Sequence, residues 1–245
     1  MDTILNTTIL GLIFGTLGTT LGGIIGATIK TKSNKFLSFI LEFAAGLMVA
    51  VVCFELIPEA MEVSNMLTVI IGIIIGVFIM IFCDNLVNYK YSKKNVFKMN
   101  SLIKTGIIVG IGLAIHNFPE GLAIGSGFSA STKLGLTLAV AIALHDVPEG
   151  ISMAVPMKNG GMKTYKVILY TFLSGLTTGV GAFFGIIIGT ISEELISICL
   201  GFAAGAMLYI SAGELIPESH KIYKGRISYL GNILGFLIGI ISTQF

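Results

Sequence analysis

Residues Ile103–Gly127 read IKTGIIVGIGLAIHNFPEGLAIGSG, and Leu134–Pro156 read LGLTLAVAIALHDVPEGISMAVP. Each is apolar and long enough to cross a bilayer, which takes about 20 predominantly apolar residues as a helix. Each carries the same polar insertion. His116-Asn117-Phe118-Pro119-Glu120-Gly121 stands in the first, and His145-Asp146-Val147-Pro148-Glu149-Gly150 in the second. An ionisable group at membrane depth costs roughly 2.5–3.5 kcal/mol on insertion scales. Glu120, Asp146 and Glu149 left alone would cost roughly three times that. A divalent cation offsets such a cost, because carboxylate and imidazole are its natural ligands.

The pattern extends outward along the chain. Of its 245 residues 54% are hydrophobic and only 11% charged, against about 25% charged in ordinary soluble domains. Eight apolar blocks are long enough to span: Ile4–Ile29, Phe36–Ile57, Leu67–Asn88, Ile103–Gly127, Leu134–Pro156, Val167–Ile191, Leu195–Pro217 and Ile227–Thr243. The expectation is an all-α, polytopic membrane protein of one transmembrane domain over residues 1–245. The first block lacks a basic flank and is too long for a cleavable signal.

Charge distribution supports the count. With both termini outside, fourteen of the fifteen basic residues fall in cytoplasmic loops, and Lys133 alone falls outside. That asymmetry is the positive-inside rule. The basic loops read as topology determinants rather than as a nucleic-acid surface. Glu62, Glu193 and Glu194 occupy the outer loops. Glu42 and Asp84 fall near the inner ends of their spans and are expected to face the interface. His220 is expected in solvent. Cys53, Cys83 and Cys199 are scattered through apolar blocks and read as small hydrophobes.

The chain also repeats itself. Phe43-Ala44-Ala45-Gly46 leads through Met48 to Glu55-Leu56-Ile57-Pro58-Glu59. Phe202-Ala203-Ala204-Gly205 leads at the same spacing through Met207 to Glu214-Leu215-Ile216-Pro217-Glu218. These copies lie in spans 2 and 7, and the His-x-x-Pro-Glu-Gly pair lies in spans 4 and 5. An odd separation makes each pair antiparallel, the mark of inverted-topology repeats, which in transporters place the substrate near the midplane. The layout is three spans, a central pair, then three spans.

On a helix, residues four apart share a face. His116 and Glu120 therefore point one way with Asn117 beside them, and His145, Asp146 and Glu149 repeat the arrangement. Together they suit one metal, or two sharing carboxylates. Pro119 and Pro148 free the carbonyls of Ile115 and Leu144 and are expected to kink their helices. Glu55 and Glu214 read equally as pathway carboxylates or as structural polar contacts.

These motifs, in this order over eight spans, resemble the ZIP (Zrt-/Irt-like) family of divalent metal transporters, in particular its short prokaryotic members. Gly15–Gly23 and Ser174-Gly175-Leu176 add to the likeness. The resemblance implies a paired-metal site on spans 4 and 5 and uptake toward the cytoplasm through the cell membrane. It also implies a homodimer, and elevator-like movement of spans 1, 4, 5 and 6 against a scaffold. The implied cargo is Zn²⁺, with Fe²⁺ or Mn²⁺ as alternatives, and no cofactor is expected. Two departures stand out. Where many relatives place a Glu after Ser-Gly-Leu, this chain has Thr177 and Thr178, so the second metal position is weakened. The loop Tyr89–Lys104 holds no His. The rival reading is an intramembrane metal-dependent hydrolase, although His-Glu-x-x-His is absent.

Overall fold

The computed structural model describes residues 2–28, 33–93 and 101–242, and all its regular structure there is helical. Eight helices follow one another among the described residues. They are α1 (Asp2–Thr28), α2 (Asn34–Val63), α3 (Met66–Lys93), α4 (Ser101–Ala130), α5 (Thr132–Asn159), α6 (Thr164–Gly189), α7 (Glu193–Ile222) and α8 (Arg226–Ser242). Each coincides with one apolar block, the bounds differing by a few residues at either end. Five of them, α1, α2, α5, α6 and α7, are long and apolar enough to cross a membrane, and Met66–Phe82 and Arg226–Ile241 are shorter apolar helices. The centre of the Tyr89–Lys104 loop, residues 94–100, lies outside the described residues, as do the side chains of Cys83, Asp84 and His116.

Short polar caps punctuate the apolar runs. Ser33, Ser131 and Ser192 each accept a hydrogen bond from the backbone N–H three residues on, at 3.3, 3.1 and 3.3 Å. Such caps satisfy donors that a helix start leaves orphaned. Ser131 alone separates α4 from α5, so the two motif-bearing helices form a tight antiparallel hairpin. After α5 the chain reverses at Gly161, whose φ of +95° suits glycine.

Two helices are not uniform. In α2 the turn Val52–Leu56 is a π-helix, and in α7 the turn Ser211–Leu215 is another. The N–H of Ile57 reaches back to the Val52 carbonyl, and that of Ile216 to Ser211. Pro58 and Pro217 follow directly. A proline cannot donate to the preceding turn, and the wider turn accommodates the missing donor. By contrast α4 runs unbroken through Pro119, and α5 through Pro148 and Pro156. The π turns thus lie at the Glu-Leu-Ile-Pro-Glu repeats, while the His-x-x-Pro-Glu-Gly motifs lie in α-helix.

The helices pack in two groups. In one, α4 lies along α5 and α6, and α1 lies along α5 and α6. In the other, α2 lies along α8 and α3 along α7, with α2 touching α7 around the π turns. Contacts of α4 with α7 and of α2 with α5 join the groups. Glycines set the closest approaches. A Cβ at Gly121 would strike the Thr178 carbonyl and approach Gly181. One at Gly150 would strike the Thr19 carbonyl and approach Gly22. Small residues at such points let membrane helices come into backbone contact. Large apolar side chains on α3 and α8, among them Phe78, Phe82, Leu230 and Ile233, face outward, as suits a lipid-facing shell. Cys53 and Cys199 are free thiols, the first exposed and the second buried.

Candidate metal site

The α4–α5 hairpin brings its two motifs face to face. Asn117 and Glu120 from α4, and His145, Asp146 and Glu149 from α5, are all fully buried. His145 Nε2 lies 2.8 Å from Glu120 Oε1 and 3.8 Å from Asp146 Oδ1. Glu120, His145 and Glu149 each offer a ligand atom, and these atoms lie within 4.8 Å of one another. That spread suits one ion, whose ligands would draw in to about 2.0–2.2 Å. His116 lies on α4 one turn before Glu120.

The carboxylates are short of donors. Glu120 Oε2 and both Asp146 oxygens accept no hydrogen bond among the described residues. Burying an ionised carboxylate without a partner is costly, and breaking or omitting its partner is among the largest single penalties in a protein interior. A divalent cation answers both the charge and the orphaned lone pairs. Imidazole with carboxylate is a donor set that suits Zn²⁺, Fe²⁺ and Mn²⁺. The residues present therefore fit a metal ion as cargo.

The remaining candidates come from α2, α4, α6 and α7. Asn117 Nδ2 donates to the Ser174 carbonyl on α6 at 3.2 Å, which ties α4 to α6 and leaves the amide oxygen unpartnered among the described residues. On α6, Thr177 donates to the Ser174 carbonyl at 2.8 Å, whereas the buried Thr178 hydroxyl has no partner among the described residues. Glu55 is buried in the α2 π turn with Oε2 unpartnered among the described residues. Glu214 occupies the α7 π turn, and a Cβ at Gly112 of α4 would lie 3.4 Å from its Oε2. Gly112 is one turn before His116, so Glu214 leans on α4 at the level next to the cluster.

Two placements correct the sequence reading. Glu42 does not face the interface: it is 2% exposed. His220 is not simply solvated: its Nε2 lies 3.1 Å from Glu42 Oε1, with 31% of its side chain exposed. Their 178-residue separation left no local signal of the pairing.

A helical bundle of membrane length around a buried His/carboxylate cluster is the architecture of a polytopic metal-handling membrane protein. Comparison with known proteins narrows this. The family model described as ZIP Zinc transporter matches residues 90–243. "Zinc transporter ZupT" of Clostridium perfringens is 32% identical over 99% of this chain and 96% of its own length. "Zinc transporter ZupT" of Chlorobium limicola is 35% identical over 92% of each. "Zinc transporter GufA" of Myxococcus xanthus is 31% identical over 77% of this chain and 78% of its own. The chain belongs to the ZIP family of divalent metal transporters. It is a multi-pass membrane transporter and not an enzyme, which removes the hydrolase reading.

Proposed function

We propose that this protein carries Zn²⁺ across the cell membrane toward the cytoplasm, with Fe²⁺ and Mn²⁺ as secondary cargo. The observation that carries the reading is the buried Glu120–His145–Glu149 cluster, with ligand atoms within 4.8 Å. The metal is held by these residues together with His116, with Asn117 and Asp146 alongside. Thr178 occupies the second position and offers only a neutral hydroxyl, a poorer ligand for a dication than carboxylate. One metal is held tightly and a second weakly. Glu55 and Glu214 pass the ion along the pathway. The names of the relatives support zinc.

The unit is one eight-span domain, residues 1–245, with both termini outside, arranged three, two and three with inverted repeats. Packing supports this. Exchanging α1 with α6, α2 with α7, α3 with α8, and α4 with α5 turns each major pairing into another: α2–α8 becomes α7–α3, and α1–α5 becomes α6–α4. The π turns of α2 and α7 exchange as well. Alternating access is elevator-like: α1, α4, α5 and α6 move as one body against α2, α3, α7 and α8, which form the homodimer scaffold.

Uptake of Zn²⁺ into proteoliposomes tests the reading. Glu120→Gln and Glu149→Gln should each lower the rate at least about tenfold, as loss of a metal ligand costs more than loss of the outer partners that orient it. Their insertion into the membrane should be unchanged. Uptake within about twofold of the natural protein's in either variant would overturn the assignment.

A further inference from the structure

A second polar group lies away from the transport cluster, where α2, α7 and α8 meet near the Lys221–Arg226 end. Glu42 comes from α2, His220 from α7 and Asn232 from α8. Glu42 Oε1 and His220 Nε2 lie 3.1 Å apart, yet neither makes a hydrogen bond among the described residues. The two atoms stand close enough to pair when His220 carries a proton, but they are not aligned as donor and acceptor. Asn232 Nδ2 donates to Glu42 Oε2 at 3.1 Å and to the Glu42 carbonyl at 3.3 Å. The Tyr229 ring stands edge-on to His220, centroids 5.5 Å apart.

The internal repeat provides a control for what packing alone requires. One turn before Glu42, Ser38 binds the hydroxyls of Ser219 and Ser228 at 2.8 and 2.6 Å, stitching α2 to α7 and α8. At the spacing that matches Phe43 with Phe202, Ser38 corresponds to Ser197 and Ser219 to Ala60. There Ser197 donates to the Ala60 carbonyl at 2.8 Å and meets Thr68 Oγ1 at 2.8 Å, stitching α7 to α2 and α3. The serine seam is thus built twice. The same spacing matches Glu42 with Gly201 and His220 with Met61. Gly201 simply lies against Val69 and Gly72. The seam closes at one end with no ionisable group, so packing does not demand the carboxylate and imidazole at the other.

We propose that Glu42 and His220, with Asn232 beside them, form a second divalent-cation site, independent of the transport cluster. Ligand bonds of about 2.1 Å spanning 3.1 Å subtend roughly 95° at a shared ion, the cis angle of an octahedral site. Asn232 holds Glu42 through Oε2 and the main-chain carbonyl, which leaves Oε1 for the ion. The His220 side chain, 31% exposed, lets the ion in from solvent with the waters that complete its shell. Neutral His220 is the ligating form, so the ion and a proton compete for one nitrogen. The loaded site ties α2 to α7.

The test uses the purified full chain carrying Glu120→Gln and Glu149→Gln, which removes the transport cluster's Glu ligands, and measures Zn²⁺ by equilibrium dialysis. This background should still bind about one Zn²⁺ per chain. Adding His220→Gln or Glu42→Gln should weaken that binding at least about tenfold. Zn²⁺ should also raise the thermal unfolding midpoint of the background, and His220→Gln, whose side chain is partly in solvent, should abolish the rise. Absence of Zn²⁺ binding in the background, or a midpoint shift that survives His220→Gln, would overturn the site. Neither result bears on uptake, whose test is the Glu120 and Glu149 variants alone.

Discussion

At the scale of single residues, the cluster turns on which side chains are charged and which are neutral. Glu120 and Asp146 keep oxygens without donors among the described residues in a fully buried setting, while α6 carries at Thr178, packed against Gly15 and Gly121, only a hydroxyl. Replacing Thr178 by Glu adds a charged ligand where the protein has a neutral one. Thr178→Glu should raise the occupancy of a second Zn²⁺ at least about tenfold and slow uptake, because a carrier's site must also release its ion. Equilibrium metal counting beside proteoliposome flux is the measurement, and two equally tight metals in the natural protein would contradict the expectation. The convergence of Glu120, His145 and Glu149 was legible in the sequence, since helical spacing puts each motif's polar residues on one face. The hydrogen bond from Asn117 to Ser174 was not, because i, i+4 geometry fixes a face but not the neighbour opposite. The pairing of Glu42 with His220 was hidden for the same reason. Both look like end-of-span polar residues until α2 and α7 are packed together.

At the scale of elements, all eight helices were legible because hydropathy blocks of membrane length leave few alternatives. Pro119 and Pro148 lie inside α4 and α5, which stay α-helical through them, whereas Pro58 and Pro217 follow π turns. The surroundings account for the difference. Just past Pro119 and Pro148, Gly121 and Gly150 bring the backbone against α6 and α1, and a widened turn there would collide with its neighbour. This makes the glycines test positions. A Cβ at Gly121 would strike the Thr178 carbonyl and approach Gly181, both backbone and unable to yield cheaply. Gly121→Ala should therefore destabilise by about 1–3 kcal/mol, the usual cost of overpacking, seen as a lower unfolding midpoint in detergent. Gly112→Ala, whose Cβ would meet only Glu214 at 3.4 Å, is the matched control and should stay within about 0.5 kcal/mol. Equal loss in both would show that the close approach at Gly121 does not set the cost, since helix propensity by itself favours Ala over Gly.

At the scale of the whole molecule, the two packing groups and the alternation of charged junctions describe one arrangement. Glu193 opens α7, while Lys221 at its far end, Lys224 in the turn and Arg226 at the start of α8 cluster at the opposite end. The α5–α6 junction carries Lys158 and Lys163, and the α4–α5 junction only Lys133. Basic junctions thus alternate with poorly charged ones along the hairpins, as the positive-inside rule requires of a chain crossing at every helix. If α3, whose apolar stretch is one of the shorter ones, lay along the membrane instead of crossing it, the alternation would break. A cysteine scan decides this. In a background carrying Cys53→Ser and Cys83→Ser, single cysteines at Glu62 and Glu193 should react with an impermeant maleimide in intact cells. One at Lys224 should react only after permeabilisation. Because Glu62 precedes α3 and Glu193 follows α6, their shared exposure requires the intervening α3, α4, α5 and α6 to cross an even number of times. Labelling of Lys224→Cys in intact cells would place both ends of α7 on one side and dismantle the eight-span arrangement, and with it the antiparallel relation of α2 to α7 on which the repeat rests.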